Sequence, residues 1–340
     1  MSVDITTISA VSDELFAVEA PHGVSLALLV MHRGEVIFEQ YGTQPDTIFG
    51  PGGPVTADTT LISWSMAKSI THAAVGILVG AGALELDRPA AVANWLGTPK
   101  EVITLQDLLD MRSGLEWVED YVDDSVSHCL EMLFGAGRHD MASYAAALPM
   151  VRRPASTWNY SSGTTNIICQ IIGDAVGGGR DGMDAFLREQ LFQPIGMNSA
   201  VPKFDDTGTF IGSSYVYATA RDFARFGELY RNDGTVGGHR LLPVGWRDHA
   251  RTFVAHDDED GLDFGRHWWL WPDQPGSLAG HGYEGQYCVV VPDRELVVVH
   301  LGKAPVETRA ALTDRLRAII NCVPDETITR SSPSPTIDLN

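Results

Sequence analysis

Two strand-rich hairpins stand near opposite ends of the chain, and their separation constrains the fold more than any other feature. Residues 25–31 (SLALLVM) and 35–41 (EVIFEQY) are apolar runs of strand-forming residues divided by His32, Arg33 and Gly34. Residues 286–291 (QYCVVV) and 296–301 (LVVVHL) repeat the arrangement around Pro292-Asp293-Arg294-Glu295. Between them, from Ser65 to about residue 206, the pattern is mainly helical, with segments at 65–80, 104–111, 140–148, 165–176 and 183–192. On this reading the chain opens with sheet, strand signal returns only late, and an amphipathic helix follows over 306–321. Sheet at both ends with helices between implies one α/β layer built by the termini, a helical subdomain inserted into it, and a cleft at the seam. The expected division is 1–75 plus 207–325 for the α/β part, 76–206 for the helical part, and a disordered tail at 326–340, rich in Ser and Pro.

Composition narrows the function classes. A net charge of -20 repels phosphate backbones and anionic lipid, and the 24 Lys and Arg are scattered rather than striped, so neither nucleic acid nor membrane is an expected partner. No basic leader precedes an apolar core, and no apolar run reaches the ~18 residues of a membrane span, so the expected location is the cytoplasm. The four cysteines form no C-x-x-C pair, and the 11 histidines include no H-E-x-x-H, so no metal or other cofactor is expected. The run Gly177 to Gly182 matches G-x-G-x-x-G but follows a helix rather than a strand, which removes its phosphate-binding context. No G-x-S-x-G elbow is present.

Chemistry concentrates at Ser65-Met66-Ala67-Lys68. On a helix, i,i+3 spacing puts a hydroxyl and an amine on one face, which supplies a nucleophile beside a base. The competing reading is a helix-capping serine near a solvated lysine. With 21 serines but only four lysines, about a quarter of one S-x-x-K match is expected by chance. The apolar neighbours Trp64, Met66, Ala67 and Ile70 are also wrong for a surface lysine. The backbone N–H of Ser65, at a helix start, is available to a developing oxyanion.

Three motifs in order resemble the serine beta-lactamase and penicillin-binding-protein superfamily, particularly its class C, family VIII esterase and 6-aminohexanoate-dimer hydrolase branches. They are SMAK at Ser65, Tyr160-Ser161-Ser162 before a helix, and Gly280-His281-Gly282-Tyr283-Glu284-Gly285-Gln286 before a strand. The resemblance implies the beta-lactamase/transpeptidase-like fold, an antiparallel sheet flanked by helices with an inserted helical subdomain. It implies that Ser65 is acylated, that Lys68 and Tyr160 shuttle its proton, and that Ser162 replaces a usual Asn. A second oxyanion N–H would come from a strand beginning near Tyr283, with His281, Gly282 and Tyr283 on the substrate side. Glu119-Asp120-Tyr121 is similar to a loop of the aminohexanoate-dimer hydrolases whose tyrosine contacts the scissile amide, which assigns that role to Tyr121. A histidine at position 281, where many beta-lactamases have lysine, weakens the anchor for a beta-lactam carboxylate.

The expected activity is therefore hydrolysis of small carboxylic esters or amides through an acyl-enzyme, by a monomer or homodimer. The alternatives are an acyltransferase or cyclase using the same acyl-serine, a beta-lactamase or DD-peptidase-like enzyme, and a non-catalytic sensor that keeps the fold.

Overall fold

The computed structural model describes residues 3–19, 22–46, 51–121 and 126–325; the tail expected at 326–340 lies outside them. Its centre is an eight-stranded sheet ordered Ala255–Asp257, Leu262–Phe264, Trp269–Leu270, Leu278–Gly282, Gln286–Val291, Leu296–Lys303, Val24–His32 and Glu35–Tyr41. Every neighbouring pair is antiparallel. The two hairpins meet where Val24–His32 pairs with Leu296–Lys303, placing Val30 opposite Val298.

The central strands Gln286–Val291, Leu296–Lys303 and Val24–His32 are apolar almost throughout because both sheet faces are covered there. Leu28, Val30, Val289 and Val298 pack against Ile8 and Leu15 of the helix Ile5–Phe16 and against Leu316 and Ile320 of Arg309–Asn321. The alternate residues Ala27, Leu29, Val290 and Val299 face Ile70 and Ala73 of Ala67–Gly80 and Phe223 and Phe226 of Ala220–Arg231. Truncating one such core side chain, as in Leu28→Ala, costs about 2–5 kcal/mol.

The helical stretch between the hairpins contains Leu105–Leu109, His128–Phe134, Met141–Ala147, Ser162–Val176 and Gly179–Phe186, the last running into a π-helical turn over Leu187–Phe192. Two sequence expectations are corrected. The chain opens with the helix Ile5–Phe16, capped by Asp4, rather than with sheet. Its β-branched, polar sequence ITTISAVSDELF buries only Ile8, Ser12 and Leu15, too sparse a stripe to announce a helix. Strands also return well before residue 286, at Val201–Pro202, Val216–Ala218 and in the segments between 255 and 282. Most span two or three residues, too few for an alternating pattern to register. Among the described residues no helix is long and apolar enough to cross a membrane.

Candidate active site

Ser65 occupies a 3₁₀ turn, Trp64–Met66, that feeds the α-helix Ala67–Gly80. The α-helix thus starts two residues later than the sequence suggests. Residues three apart eclipse one another in a 3₁₀ turn, so Ser65 and Lys68 still share a face. Trp64 holds the left-handed conformation, φ 43°, which is costly for a bulky residue and requires support from its surroundings. Ser63 supplies it: its N–H donates to the Val216 carbonyl at 2.9 Å, and its hydroxyl donates to the Trp64 carbonyl at 2.9 Å.

Lys68 is 2% exposed, and its three possible donor directions all find acceptors. Nζ lies 2.9 Å from Ser65 Oγ, 2.9 Å from Ser162 Oγ and 3.0 Å from the Ser213 carbonyl oxygen. It also stands 4.8 Å from the centre of the Tyr160 ring. Burial raises the Tyr160 phenol above its ordinary range, while the Lys68 charge and hydrogen bonding with Ser65 and Lys68 pull it back.

Tyr160-Ser161-Ser162 sits where a helix begins. Ser161 caps Ser162–Val176 by accepting from the Thr164 N–H at 2.9 Å, a role that suits serine at this position. Ser162 is thereby buried rather than turned toward a substrate, and it contacts Glu119 twice. Its hydroxyl donates to Oε1 at 2.5 Å and its N–H to Oε2 at 2.8 Å. Glu119 also accepts from Trp117 Nε1 at 2.5 Å and from the Tyr121 hydroxyl at 2.9 Å. Sequence reading named Tyr121 from this loop and passed over Glu119, because no spacing rule links a loop carboxylate to a serine 43 residues away.

The third motif is partly rearranged. Gly280 lies at the middle of the strand Leu278–Gly282 and Gly282 ends it, and Tyr283–Gly285 form the turn into Gln286–Val291, so Tyr283 does not open a strand. A Cβ on Gly280 would face Ser69 and Met66, and one on Gly282 would strike the Ser63 carbonyl oxygen. Since successive strand residues point to opposite faces, His281 leaves on the side away from the nucleophile helix. There it stacks on Trp269 at 5.6 Å and accepts from Trp271 Nε1 at 2.9 Å through Nε2. Burial pushes it down to about 3, which leaves it uncharged at neutral pH. The structure brings Ser65, Lys68, Tyr160 and Ser162 together; His281 lies behind Trp269, whose ring is 5.5 Å from that of Tyr160. Tyr283, Tyr121 and Trp64 form an aromatic rim, with ring centres 5.1 Å apart for Tyr121 and Tyr283 and 6.0 Å for Trp64 and Tyr283.

A description of the beta-lactamase family matches residues 17–321. The chain belongs to the beta-lactamase family. A 6-aminohexanoate-dimer hydrolase of Paenarthrobacter ureafaciens is 26% identical to it over 300 residues, covering 82% of this chain and 72% of the relative. The octameric penicillin-binding protein homologue of Pyrococcus abyssi superposes with a TM-score of 0.70 at 16% identity, covering 95% of this chain and 78% of the other. A family VIII carboxylesterase superposes at 0.69 with 14% identity, covering 94% and 97%. The protein is a serine hydrolase with the beta-lactamase-like fold.

Proposed function

We propose that this beta-lactamase family member cleaves small carboxylic esters or amides through an acyl-enzyme on Ser65. One observation carries the reading: a buried lysine 2.9 Å from the hydroxyl of a half-buried serine, with its other two donor directions occupied by Ser162 and Ser213. In the first half-reaction Ser65 Oγ bonds to the carbonyl carbon and its proton passes to the Lys68 and Tyr160 pair. The carbonyl reforms as the bond to the leaving alcohol or amine breaks, and the pair returns the proton to that group. Water then attacks the acyl-serine by the reverse route, releasing the acid and restoring the Ser65 hydroxyl. The N–H groups of Ser65 and Tyr283 serve the oxyanion.

Two observations favour simple esters and amides over beta-lactams. His281 is uncharged and stacked on Trp269, so it offers no cation to a carboxylate. The entrance is aromatic, with Glu284 beside Trp64 at 3.3 Å. An acidic rim suits neutral or amine-bearing substrates, in keeping with the aminohexanoate-dimer relative.

A fluorophosphonate probe and a panel of p-nitrophenyl esters, nitrocefin and short ω-amino-acid amides test this. The expected result is one label, mapped to the peptide holding Ser65, with ester turnover above nitrocefin turnover and near-complete loss in Ser65→Ala. As a helix-start residue Ser65 contributes at most ~1–2 kcal/mol to stability, so that variant stays folded. Equal turnover by wild type and Ser65→Ala, or a label elsewhere, overturns the assignment. Diversion of product from free acid by added amines would favour the acyltransferase alternative.

A further inference from the structure

We infer that Glu119 is the positioning residue of the site: by fixing the Ser162 proton, it aims the Lys68 lone pair at Ser65. The inference rests on the acyl-serine reading above and concerns how the base is made ready.

Four hydrogens converge on the Glu119 carboxylate: Trp117 Nε1–H and Ser162 N–H on Oε2, and the hydroxyls of Ser162 and Tyr121 on Oε1. An ionised carboxylate only accepts, so the Ser162 proton must point at Glu119. Its remaining lone pairs then face Lys68, 2.9 Å away, and Ser162 can act toward Nζ only as an acceptor. The Ser213 carbonyl, at 3.0 Å, is an acceptor by nature. A neutral amine has two N–H bonds and one lone pair. With both hydrogens committed to Ser162 and Ser213, the lone pair is left for the third direction, where Ser65 Oγ lies at 2.9 Å. When Lys68 gains the proton, the same direction becomes an N–H donor, which suits it to pass the proton on.

Without the carboxylate this direction is lost. Glutamine offers one acceptor oxygen to four converging hydrogens and presents an NH₂ to two of them. Either Ser162 or Tyr121 must then turn, and a Ser162 hydroxyl turned toward Nζ would occupy the lone pair that Ser65 needs. Tyr121 is the outer member of the same chain, so a substrate that draws its hydroxyl away acts on the acceptor that orients Ser162.

The test uses Glu119→Gln, Glu119→Asp, Ser162→Ala and the Glu119→Gln/Ser162→Ala double variant. Each is measured for kcat and KM with a p-nitrophenyl ester from pH 5 to 9, and for fluorophosphonate labelling rate. The titratable groups around Lys68, Ser162 and Glu119 are Tyr121, Tyr160 and Cys129, all pushed upward by burial, Cys169, pushed up to about 12, and His267, pushed down to about 3, with His128 packed on Trp117 beyond them. For Glu119→Gln the expected result is a loss of kcat of at least tenfold, with KM changed less than threefold. The acid limb of the pH–rate profile, which belongs to the whole proton network, should move to lower pH, because removing a negative charge from beside the network favours its less protonated form. Glu119→Asp should recover part of the loss, and the double variant should be little worse than Ser162→Ala alone, since both act through one hydroxyl. A packing role alone would lower activity without moving the acid limb. Wild-type kcat and an unmoved limb in Glu119→Gln, or additive losses in the double variant, overturn the inference; if Glu119→Gln does not fold, Glu119→Asp and Ser162→Ala with unaltered profiles do the same. Absence of labelling at Ser65 in the wild-type chain would instead overturn the acyl-serine reading on which it rests.

Discussion

A Cβ on Gly282 would lie 2.2 Å from the carbonyl oxygen of Ser63, so the third motif and the nucleophile turn touch backbone to backbone. Real Cβ atoms do not approach so closely, and neither partner is the free end of a flexible side chain. Glycine here lets the strand approach the turn that carries Ser65, the approach on which the proposed oxyanion role of the Tyr283 N–H depends. Gly282→Ala is expected to separate the two segments, lowering kcat at least tenfold while the sheet core, fixed elsewhere by paired valines, keeps the chain folded. Measured kcat within twofold of wild type would show that Tyr283 does not serve the oxyanion.

On the proposed mechanism Lys68 and Tyr160 act as one coupled proton network rather than as two separate groups. Lys68→Ala and Tyr160→Phe should each lower kcat severely, and the double variant should be little worse than either single one. Losses that add would show that the two act independently.

The contact between Ser65 and Lys68 was legible in the sequence because its signal is local: the two lie three residues apart, and Tyr160 immediately precedes a helix whose cap, Ser161, is a short-range feature. The second hairpin was legible because its valine runs are long and buried on both faces, and the first because the strand Val24–His32 is a long apolar run. What escaped was set by distance. Glu119 meets Ser162 across 43 residues, and the Lys68 contact with the Ser213 carbonyl spans 145 and uses no side chain of Ser213 at all. The orientation of His281 depends on strand register: a one-residue difference sends a side chain to the opposite face, and the motif G-H-G carries no sign of which face it will be.

Buried neutral histidines predict acid sensitivity. His267 and His300 are 2% and 1% exposed, and burial pushes them down to about 3 and about 4. His300 donates from Nδ1 to the Gly285 carbonyl at 2.7 Å, which leaves Nε2 to accept from Ser25 at 2.9 Å. An unfolded histidine titrates near 6.5, so below that pH the unfolded chain takes up protons that the native chain refuses. Stability is therefore expected to be flat above about pH 7 and to fall from about 6.5 to 4, each such histidine contributing up to about 1.4 kcal/mol per pH unit. Urea unfolding of wild type and His300→Gln at pH 7, 6 and 5 checks this: the variant should start less stable and lose less per unit. Parallel slopes would show that His300 does not carry the effect.

Tyr121 is expected to separate amide from ester chemistry. Its hydroxyl donates to Glu119 at 2.9 Å, its ring lies 5.1 Å from that of Tyr283, and it is 40% exposed, so a substrate entering past the rim meets it. An amine is a far poorer leaving group than an alkoxide and needs a proton or a hydrogen bond on nitrogen as the tetrahedral intermediate collapses. A Tyr121 hydroxyl turned from Glu119 toward the scissile nitrogen would supply that bond mainly in the transition state. Losing it should cost on the order of 1–3 kcal/mol, about ten- to a hundredfold in rate. Tyr121→Phe keeps the ring against Tyr283 and leaves the Glu119 carboxylate its other three donors, so ester turnover should change less than fivefold while amide turnover falls by the larger factor. The decisive quantity is the ratio of amide to ester kcat/KM in variant and wild type. An unchanged ratio, with both rates falling together, would place Tyr121 in the packing of the rim and in the support of Glu119 rather than at the leaving group.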